Sequence, residues 1–413
     1  MKVLQISFSV SPSTSCVRLK EALKGQGVDV KILTMHASNA LVNDHDIIVI
    51  KKTIWTKVYK RICETIWKVI FDRKYQQRKP SIFDGGYDGI QYRYIKNIIA
   101  EADVVHIHWA LMLINYRNLK EILRDKKNVI WTAHDCWPFT GGCHHFDAGC
   151  DAYKYNCGKC PLLLSNNSRD ITNLIMKAKR KAFSSNIVMI GPSRWISERM
   201  KESSLFCNSM VQTIPNALNC EKYLVKDRRS IREKHGIDAN QKVIMVGAYS
   251  MASPYKGYSY FLEILKKLSM NSNLDKLLVI TFGNIDDTEI YDGIETKHFG
   301  YIENEDKMVE LYNLADVFLL TSVNENLPTV VMESMACGTP VATFDVGGVR
   351  DMVDHKKDGY VARKFDVEDL VEGIKWCIEN GNSIRSDMHM KMEKYCAYDI
   401  VAKKHIELYE SVK

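Results

Sequence analysis

Short apolar runs alternate with stretches of helical period along most of this chain, and that alternation narrows the choice of fold more than any other feature. Residues 3–7 read as a buried first strand. Residues 15–24 follow with Val17, Leu19, Ala22 and Leu23 at helical spacing, and Gly25-Gln26-Gly27 supplies a stop. Residues 28–33, 103–109 and 128–134 are further strand-like runs, with a helical pattern at 119–123. Such strand–helix–strand units imply a parallel sheet with helices on both faces. A run at 187–192 ends in Gly191-Pro192, and the pattern then restarts with strands at 242–247, 277–283, 316–322 and 340–344 and helices at 258–268, 306–314 and 329–337. From Ser383 onward only helical spacing remains, carried by Ile400, Ala402, Ile406, Leu408 and Tyr409.

The 413 residues exceed what one core organises. The expected division is a first doubly wound domain at 1–190, a second at 191–382 and a helical segment at 383–413. Ligands of open parallel sheets bind at the carboxyl ends of the strands, so the expected site is a cleft that both sheets face. Hydrophobic residues make up 46% and charged residues 26%, which fits a globular enzyme and excludes a disordered chain. No run approaches the roughly 18 apolar residues of a membrane-spanning helix. The opening residues are too short and polar for a secretory segment, which points to the cytoplasm.

The segment 320–340 carries the most chemistry. A strand ends near Ser322, a polar turn holds Glu325, Pro328 suits a first helical position, and Gly338 suits the residue after the helix. Glu333 is the one charge on that apolar helix, and a lone buried carboxylate is costly unless something specific receives it. The helix N-terminus favours a phosphate-bearing ligand. The plain alternative pairs Glu333 with a core arginine and leaves Glu325 in solvent.

This segment resembles the E-x7-E region of the family 4 retaining glycosyltransferases, with Glu325 and Glu333 as its carboxylates, a following Glu-Ser-Met-Ala-Cys-Gly-Thr-Pro run, and then Gly347-Gly348. The resemblance is to enzymes of exopolysaccharide, capsule and colanic-acid type. It implies the α/β GT-B architecture, two Rossmann-like doubly wound domains facing a central cleft, with C-terminal helices crossing back to the first domain. It implies a nucleotide-diphosphate sugar as donor, held by Gly247, Lys256, Gly283, Tyr301, Glu325, Asn326, Leu327 and Glu333. Lys256 would neutralise the diphosphate, Glu325 would contact sugar hydroxyls and Glu333 the ribose. The arginine that usually follows the glycine is replaced by Ala248 and Tyr249, with Arg194 as a substitute cation. Ile214-Pro215-Asn216-Ala217 resembles the Pro-Asn-Gly turn with alanine for glycine. His134, in Thr132-Ala133-His134-Asp135, matches the histidine that bonds the donor sugar or its leaving phosphate, and Asp135 is the candidate to orient the acceptor or take its proton. His106 and His108 share one strand face as structural or acceptor-lining groups. Asp44-His45-Asp46 matches the D-x-D metal pattern only formally.

Of the twelve cysteines, Cys143, Cys150, Cys157 and Cys160 form a spacing that suits a structural zinc site beside the acceptor. Catalysis itself needs no cofactor on this reading. The net charge of +7 is concentrated between Lys51 and Lys79, where ten basic residues face two acidic ones. There Ile54, Val58, Ile62, Ile66 and Val69 recur at helical spacing, a pattern for a helix lying on the anionic cytoplasmic face of the inner membrane or for an ordinary surface helix. The acceptor implied is a polyprenyl-diphosphate-linked saccharide, and nucleic acid is not an expected partner. The rivals are a nucleotide-sugar epimerase or phosphorylase of the same architecture and a zinc-containing nucleic-acid-binding or partner-binding protein.

Overall fold

A computed structural model describes residues 1–413 apart from 51–53, 127, 147–148, 184–186, 252, 271–275 and 285–293. Two compact units result, Met1–Ala217 with Tyr398–Lys413, and Leu218–Ala397.

The first unit contains β1 (Lys2–Ile6), β2 (Ser9–Val10), β3 (Asp29–Thr34), β4 (His36–Ala37), β5 (Ile47–Val49), β6 (Val104–Ile107), β7 (Val129–Thr132), β8 (Val188–Gly191) and β9 (Val211–Thr213). Its helices are α1 (Ser15–Gly25), α2 (Ile54–Lys74), α3 (Lys96–Glu101), α4 (Tyr116–Asp125), α5 (Ile171–Ala182) and α6 (Arg194–Glu202). Seven strands pair in the order β5-β3-β1-β6-β7-β8-β9, and every pairing is parallel. Val3 stands opposite both Val30 and Val104, so β1 is central and buried. The chain steps outward from β1 to β3 and then returns to β6 on the other side. That reversal opens a crevice at the carboxyl ends of β1 and β6.

The second unit contains β10 (Lys242–Ser250), β11 (Leu277–Asn284), β12 (Glu295–His298), β13 (Val317–Leu320), β14 (Val341–Phe344) and β15 (Gly359–Ala362). Its helices are α7 (Arg228–Lys234), α8 (Tyr258–Ser269), α9 (Glu305–Leu314), α10 (Thr329–Ala336), α11 (Val367–Asn380) and α12 (Arg385–Cys396). The order is β12-β11-β10-β13-β14-β15, again parallel, with the reversal between β10 and β13. Buried Asp316, just ahead of β13, takes Arg228 at 3.0 Å, Arg232 at 2.8 Å and the Val243 amide at 2.8 Å, which ties α7 to this sheet.

The division between the units falls after Ala217, later than residue 190. The run at 188–191 is not a last strand, since α6 and β9 follow it and extend the same sheet. The stretch from 383 also divides. α12 stays with the second unit, where Met388, Met392 and Cys396 are fully buried and the helix packs on α10. The last helix, α13 (Tyr398–Ser411), belongs to the first unit and packs on α1 through a face that includes Val401, Ala402, Leu408 and Tyr409.

Candidate active site

In the second unit the reversal point collects the predicted donor residues. The turn after β13 carries Glu325, and the turn after β10 carries Lys256. Lys256 Nζ donates to Glu325 Oε1 at 2.6 Å, with side-chain exposures of 28% and 12%. The two turns are laced together. Val323 N–H donates to the Tyr255 carbonyl at 2.8 Å, and the Thr321 hydroxyl donates to the Lys256 carbonyl at 2.9 Å. Gly257 makes this approach achievable. Its φ is +64°, and a Cβ there would lie 2.0 Å from the Thr321 carbonyl oxygen. On the other side Gly347, at φ +56°, would place a Cβ 1.5 Å from the Glu325 carbonyl oxygen, and Gly348 N–H donates to the Asn326 carbonyl at 2.9 Å. The glycine pair is therefore a backbone platform beneath the Glu325 turn.

Glu333 lies one helix further in. α10 spans eight residues from Thr329, where the helical pattern begins, with Pro328 as its N-cap rather than its first helical residue. Gly338 follows its end at φ +71°. Glu333 is 6% exposed and its Oε2 accepts from the Tyr312 hydroxyl at 3.0 Å. Burial, followed by the nearby Glu333 charge, holds the Tyr312 phenol well above its ordinary range. The carboxylate thus has a tyrosine partner on α9, where sequence reading had considered a core arginine. Neither acid faces bulk solvent.

Asn326 and Leu327 are buried behind the turn. Gly247 would place a Cβ 2.4 Å from the Phe282 ring, so β10 and the end of β11 meet closely. Gly283 N–H donates to the Gly300 carbonyl at 2.8 Å, which brings the predicted base-seating residues Gly283 and Tyr301 side by side, with Tyr301 53% exposed. The Ser322 hydroxyl, buried just after β13, has no hydrogen-bond partner among the described residues.

In the first unit His134 follows β7. It is buried, and burial, opposed by the Asp135 charge, lowers its pKa to about 4. His134 Nε2 and His108 Nδ1 share a hydrogen bond at 3.0 Å. His108 Nε2 is also buried and has no hydrogen-bond partner among the described residues. His106 is fully enclosed, 2.7 Å from both the Tyr409 hydroxyl and the Thr132 hydroxyl. Burial drives His106 and His108 well below the ordinary imidazole range, so both rings are neutral. A cavity of about 10 Å3, the space of one water, is lined by Ser15, His108, Thr132, His134, Asn216 and His405 among others.

Asp135 is committed elsewhere. Its Oδ2 accepts from Trp109 Nε1 at 3.0 Å and meets His144 Nδ1 at 2.7 Å, and its Oδ1 accepts from the Trp137 amide at 2.8 Å. Burial opposes its ionisation, but His144 and the Trp137 amide outweigh it and the carboxyl titrates below its usual range. That environment suits an organiser of the loop better than a proton acceptor. Lys179 assists from beneath, donating to the Trp137 and Thr140 carbonyls with its ammonium 3.6 Å from the Trp137 ring centre. Burial lowers its pKa to about 7. His144 and Lys179 carried no signal of their own in the sequence, because their roles depend on the chain folding back at Trp137.

Other predicted groups are accounted for. Asp44 and Asp46 form ion pairs with Lys20 and Lys24 of α1, which uses both acids of the formal D-x-D match. Arg194 opens α6 in the first unit and is exposed. The thiols of Cys143 and Cys150 lie within electrostatic reach of each other and of those of Cys157 and Cys160, and Cys143 and Cys160 share an apolar cluster with Phe71 and Tyr75. Burial pushes Cys143 up to about 12 and Cys160 up to about 11. Among the described residues no three His, Cys, Asp or Glu side chains are arranged to hold a metal ion, so the predicted thiolate set is not assembled as a ligand shell in this conformation.

Two family models match this chain, "Glycosyl transferases group 1" over residues 227–396 and "Glycosyltransferase Family 4" over residues 13–222. The chain belongs to glycosyltransferase family 4. Among its relatives is WcaC of Escherichia coli strain K12, a proposed colanic acid biosynthesis glycosyl transferase, 24% identical over 67% of this chain and 66% of WcaC. Another is the N,N'-diacetylbacillosaminyl-diphospho-undecaprenol alpha-1,3-N-acetylgalactosaminyltransferase of Campylobacter jejuni, 24% identical over 60% of this chain and 66% of that protein. The chain thus spans about two thirds of the length of these two curated relatives. Anabaena Alr3699/HepE, solved with UDP-glucose, superposes with a TM-score of 0.65 at 15% identity over 100% of both chains. WaaG, a glycosyltransferase involved in lipopolysaccharide biosynthesis, gives 0.64 at 14% identity over 98% of this chain and 99% of its own. This family 4 glycosyltransferase has the GT-B fold, with a Rossmann-like sheet in each unit.

Proposed function

We propose that this glycosyltransferase moves a sugar from a nucleoside-diphosphate sugar to a lipid-linked saccharide, with retention at the anomeric carbon, in the synthesis of a surface polysaccharide. The observation that carries the donor part is the Lys256–Glu325 pair at the strand-order reversal of the second unit, with Glu333 sealed on the helix behind it. The lysine would release the carboxylate to take the donor diphosphate, and Glu325 would then accept hydrogen bonds from vicinal sugar hydroxyls. Glu333 would receive the ribose, and the Gly283–Tyr301 corner the base. His134, neutral at working pH, would hydrogen-bond the sugar or the departing phosphate without carrying charge. Asp135 would order the neighbouring loop through Trp109, His144 and the Trp137 amide. The solved complex of Alr3699/HepE with UDP-glucose supports a nucleotide-sugar donor. The acceptor class is supported by the undecaprenol-linked substrate in the name of the Campylobacter relative.

Thermal-shift screening against UDP-, GDP- and dTDP-sugars tests the donor. One nucleotide class should raise the melting temperature of the native chain, and Lys256→Ala and Glu325→Ala should each lose that shift and abolish transfer while the apo melting temperature holds. Near-normal turnover in either variant would overturn the assignment. Product NMR would read anomeric configuration, and nucleotide release without any acceptor would favour an epimerase or phosphorylase. For the cysteine quartet the proposal is structural zinc, supported by the spacing of Cys143, Cys150, Cys157 and Cys160 along the sequence. Metal analysis of reduced protein should give about one equivalent, and a value well below that would remove it.

A further inference from the structure

We propose that α2 is a docking face for an anionic lipid bilayer. Among the described residues the helix attaches to the first unit through an aromatic side. Trp67 stacks on Phe83 at 6.3 Å, and Phe71 and Tyr75 are buried with Cys143, Cys160, Leu162 and Leu163. The opposite side carries Val58, Ile62, Ile66, Val69 and Ile70, which are 44%, 52%, 54%, 42% and 52% exposed. Their spacing puts all five on one stripe of the helix. A surface helix of a globular protein ordinarily turns its aliphatic stripe inward and its charges outward. Here aromatic residues make the internal contact, and the aliphatic row is left to water. Exposed aliphatic residues are common singly, but a row of five along one helix marks a contact surface.

Charge decides what covers it. Arg61 and Lys68 border the row on one side and Lys74 on the other, with Arg73 near its end, and all four are exposed. The segment 51–79 holds ten basic and two acidic residues, about the whole net charge of the chain. A second copy of α2 would satisfy the aliphatic row but would oppose two strongly basic segments at close range. A nucleic acid would satisfy the cations but would set phosphates against isoleucine and valine. An anionic bilayer takes both, with the aliphatic row at the level of the acyl chains and the lysines and arginines at the head groups. No helix among the described residues is long and apolar enough to cross a membrane, so this contact would lie along the surface, a helix about 30 Å long in its plane. It deepens the acceptor half of the proposed function, since a lipid-linked saccharide sits at that same surface. The donor half does not depend on it.

Co-sedimentation of the full chain with vesicles of phosphatidylcholine alone and of phosphatidylcholine with phosphatidylglycerol tests this. Binding should require phosphatidylglycerol and should weaken with added salt. Ile62→Ser with Ile66→Ser should weaken it by about ten-fold or more. Arg61→Gln and Lys68→Gln should each weaken it roughly five-fold. Every variant should keep the native thermal shift with the donor nucleotide sugar, which separates a failure here from a failure of the donor reading. Equal binding to neutral and anionic vesicles, no binding to either, or binding indifferent to both sets of variants would overturn the proposal. So would a concentration-dependent dimer in lipid-free buffer that Ile62→Ser with Ile66→Ser abolishes.

Discussion

His108 illustrates how one side chain acquires a role that its neighbours define. Its Nδ1 bonds His134 while its Nε2 is buried without a hydrogen-bond partner among the described residues, so its contribution is to hold the adjacent imidazole. His108→Phe keeps the apolar burial and removes both the bond and the orphan nitrogen. Stability should change by less than about 1 kcal/mol in urea titration, because deleting an unsatisfied polar atom offsets the lost bond. Turnover should fall roughly ten- to hundred-fold with little change in the donor KM. His108→Gln, whose amide offers a substitute hydrogen-bonding group, should recover part of that loss. A variant that unfolds easily but turns over normally would mark His108 as core filling only. At the same scale Glu333 stood out in the sequence as the one charge on an apolar helix, while Glu325, Lys256 and His134 were picked out by the resemblance to family 4 motifs. The sequence could not assign Tyr312 to Glu333 or His144 to Asp135. Those partners lie on other elements and have no spacing relation to the acids they meet.

The decisive elements are the turns that close onto one another in the second unit. Gly347 lets the turn after β14 pass beneath Glu325, and any side chain there would meet the Glu325 carbonyl. Gly347→Ala should therefore lower stability by about 1–3 kcal/mol, through a strained positive φ and a displaced turn. Donor affinity should fall with it, read together by melting temperature and by titration with the nucleotide sugar. An alanine variant with native stability and affinity would show that the turn has slack. Strands with continuous apolar runs were legible in advance, including those of β1, β6, β7, β10, β11, β13 and β14. The edge strands β5, β9, β12 and β15 were not, because they are short or mixed in polarity and gain their pairing from a neighbour already in place. α2 was legible as a helix from its period. Which side faces inward was not, because an aromatic side and an aliphatic side both satisfy that period.

Across the whole molecule the first unit is held partly by a cluster of buried histidines that spans its sheet and its last helix. His134 and His405 titrate near pH 4 because burial disfavours the charged ring, and His106 and His108 lie lower than the ordinary value for the same reason. In the unfolded chain these residues bind protons below about pH 6.5. Between about 6.5 and 4 the unfolded state therefore holds more protons than the native one, and stability falls as pH falls through that window. Each of the two that titrate near 4 should contribute a loss on the order of 3 kcal/mol by pH 4. Urea midpoints should drop steadily from pH 7 to pH 4.5, and a flat profile would contradict the burial of these rings. Tyr409→Phe should lower the plateau above pH 7 by about 1 kcal/mol, since His106 would lose a buried partner.

The sequence by itself determined the two doubly wound sheets, because alternating strand and helix periods admit few other topologies, and it singled out Glu333, because a lone charge on an apolar helix is costly unless something specific receives it. Only the tertiary structure decided that β8, α6 and β9 complete the first sheet, that α12 stays in the second unit while the last helix alone makes the return that the family resemblance implies, and that α2 keeps its aliphatic row outward. Each of these is settled by long-range packing, in which competing placements satisfy the local pattern equally and differ only in what they bury.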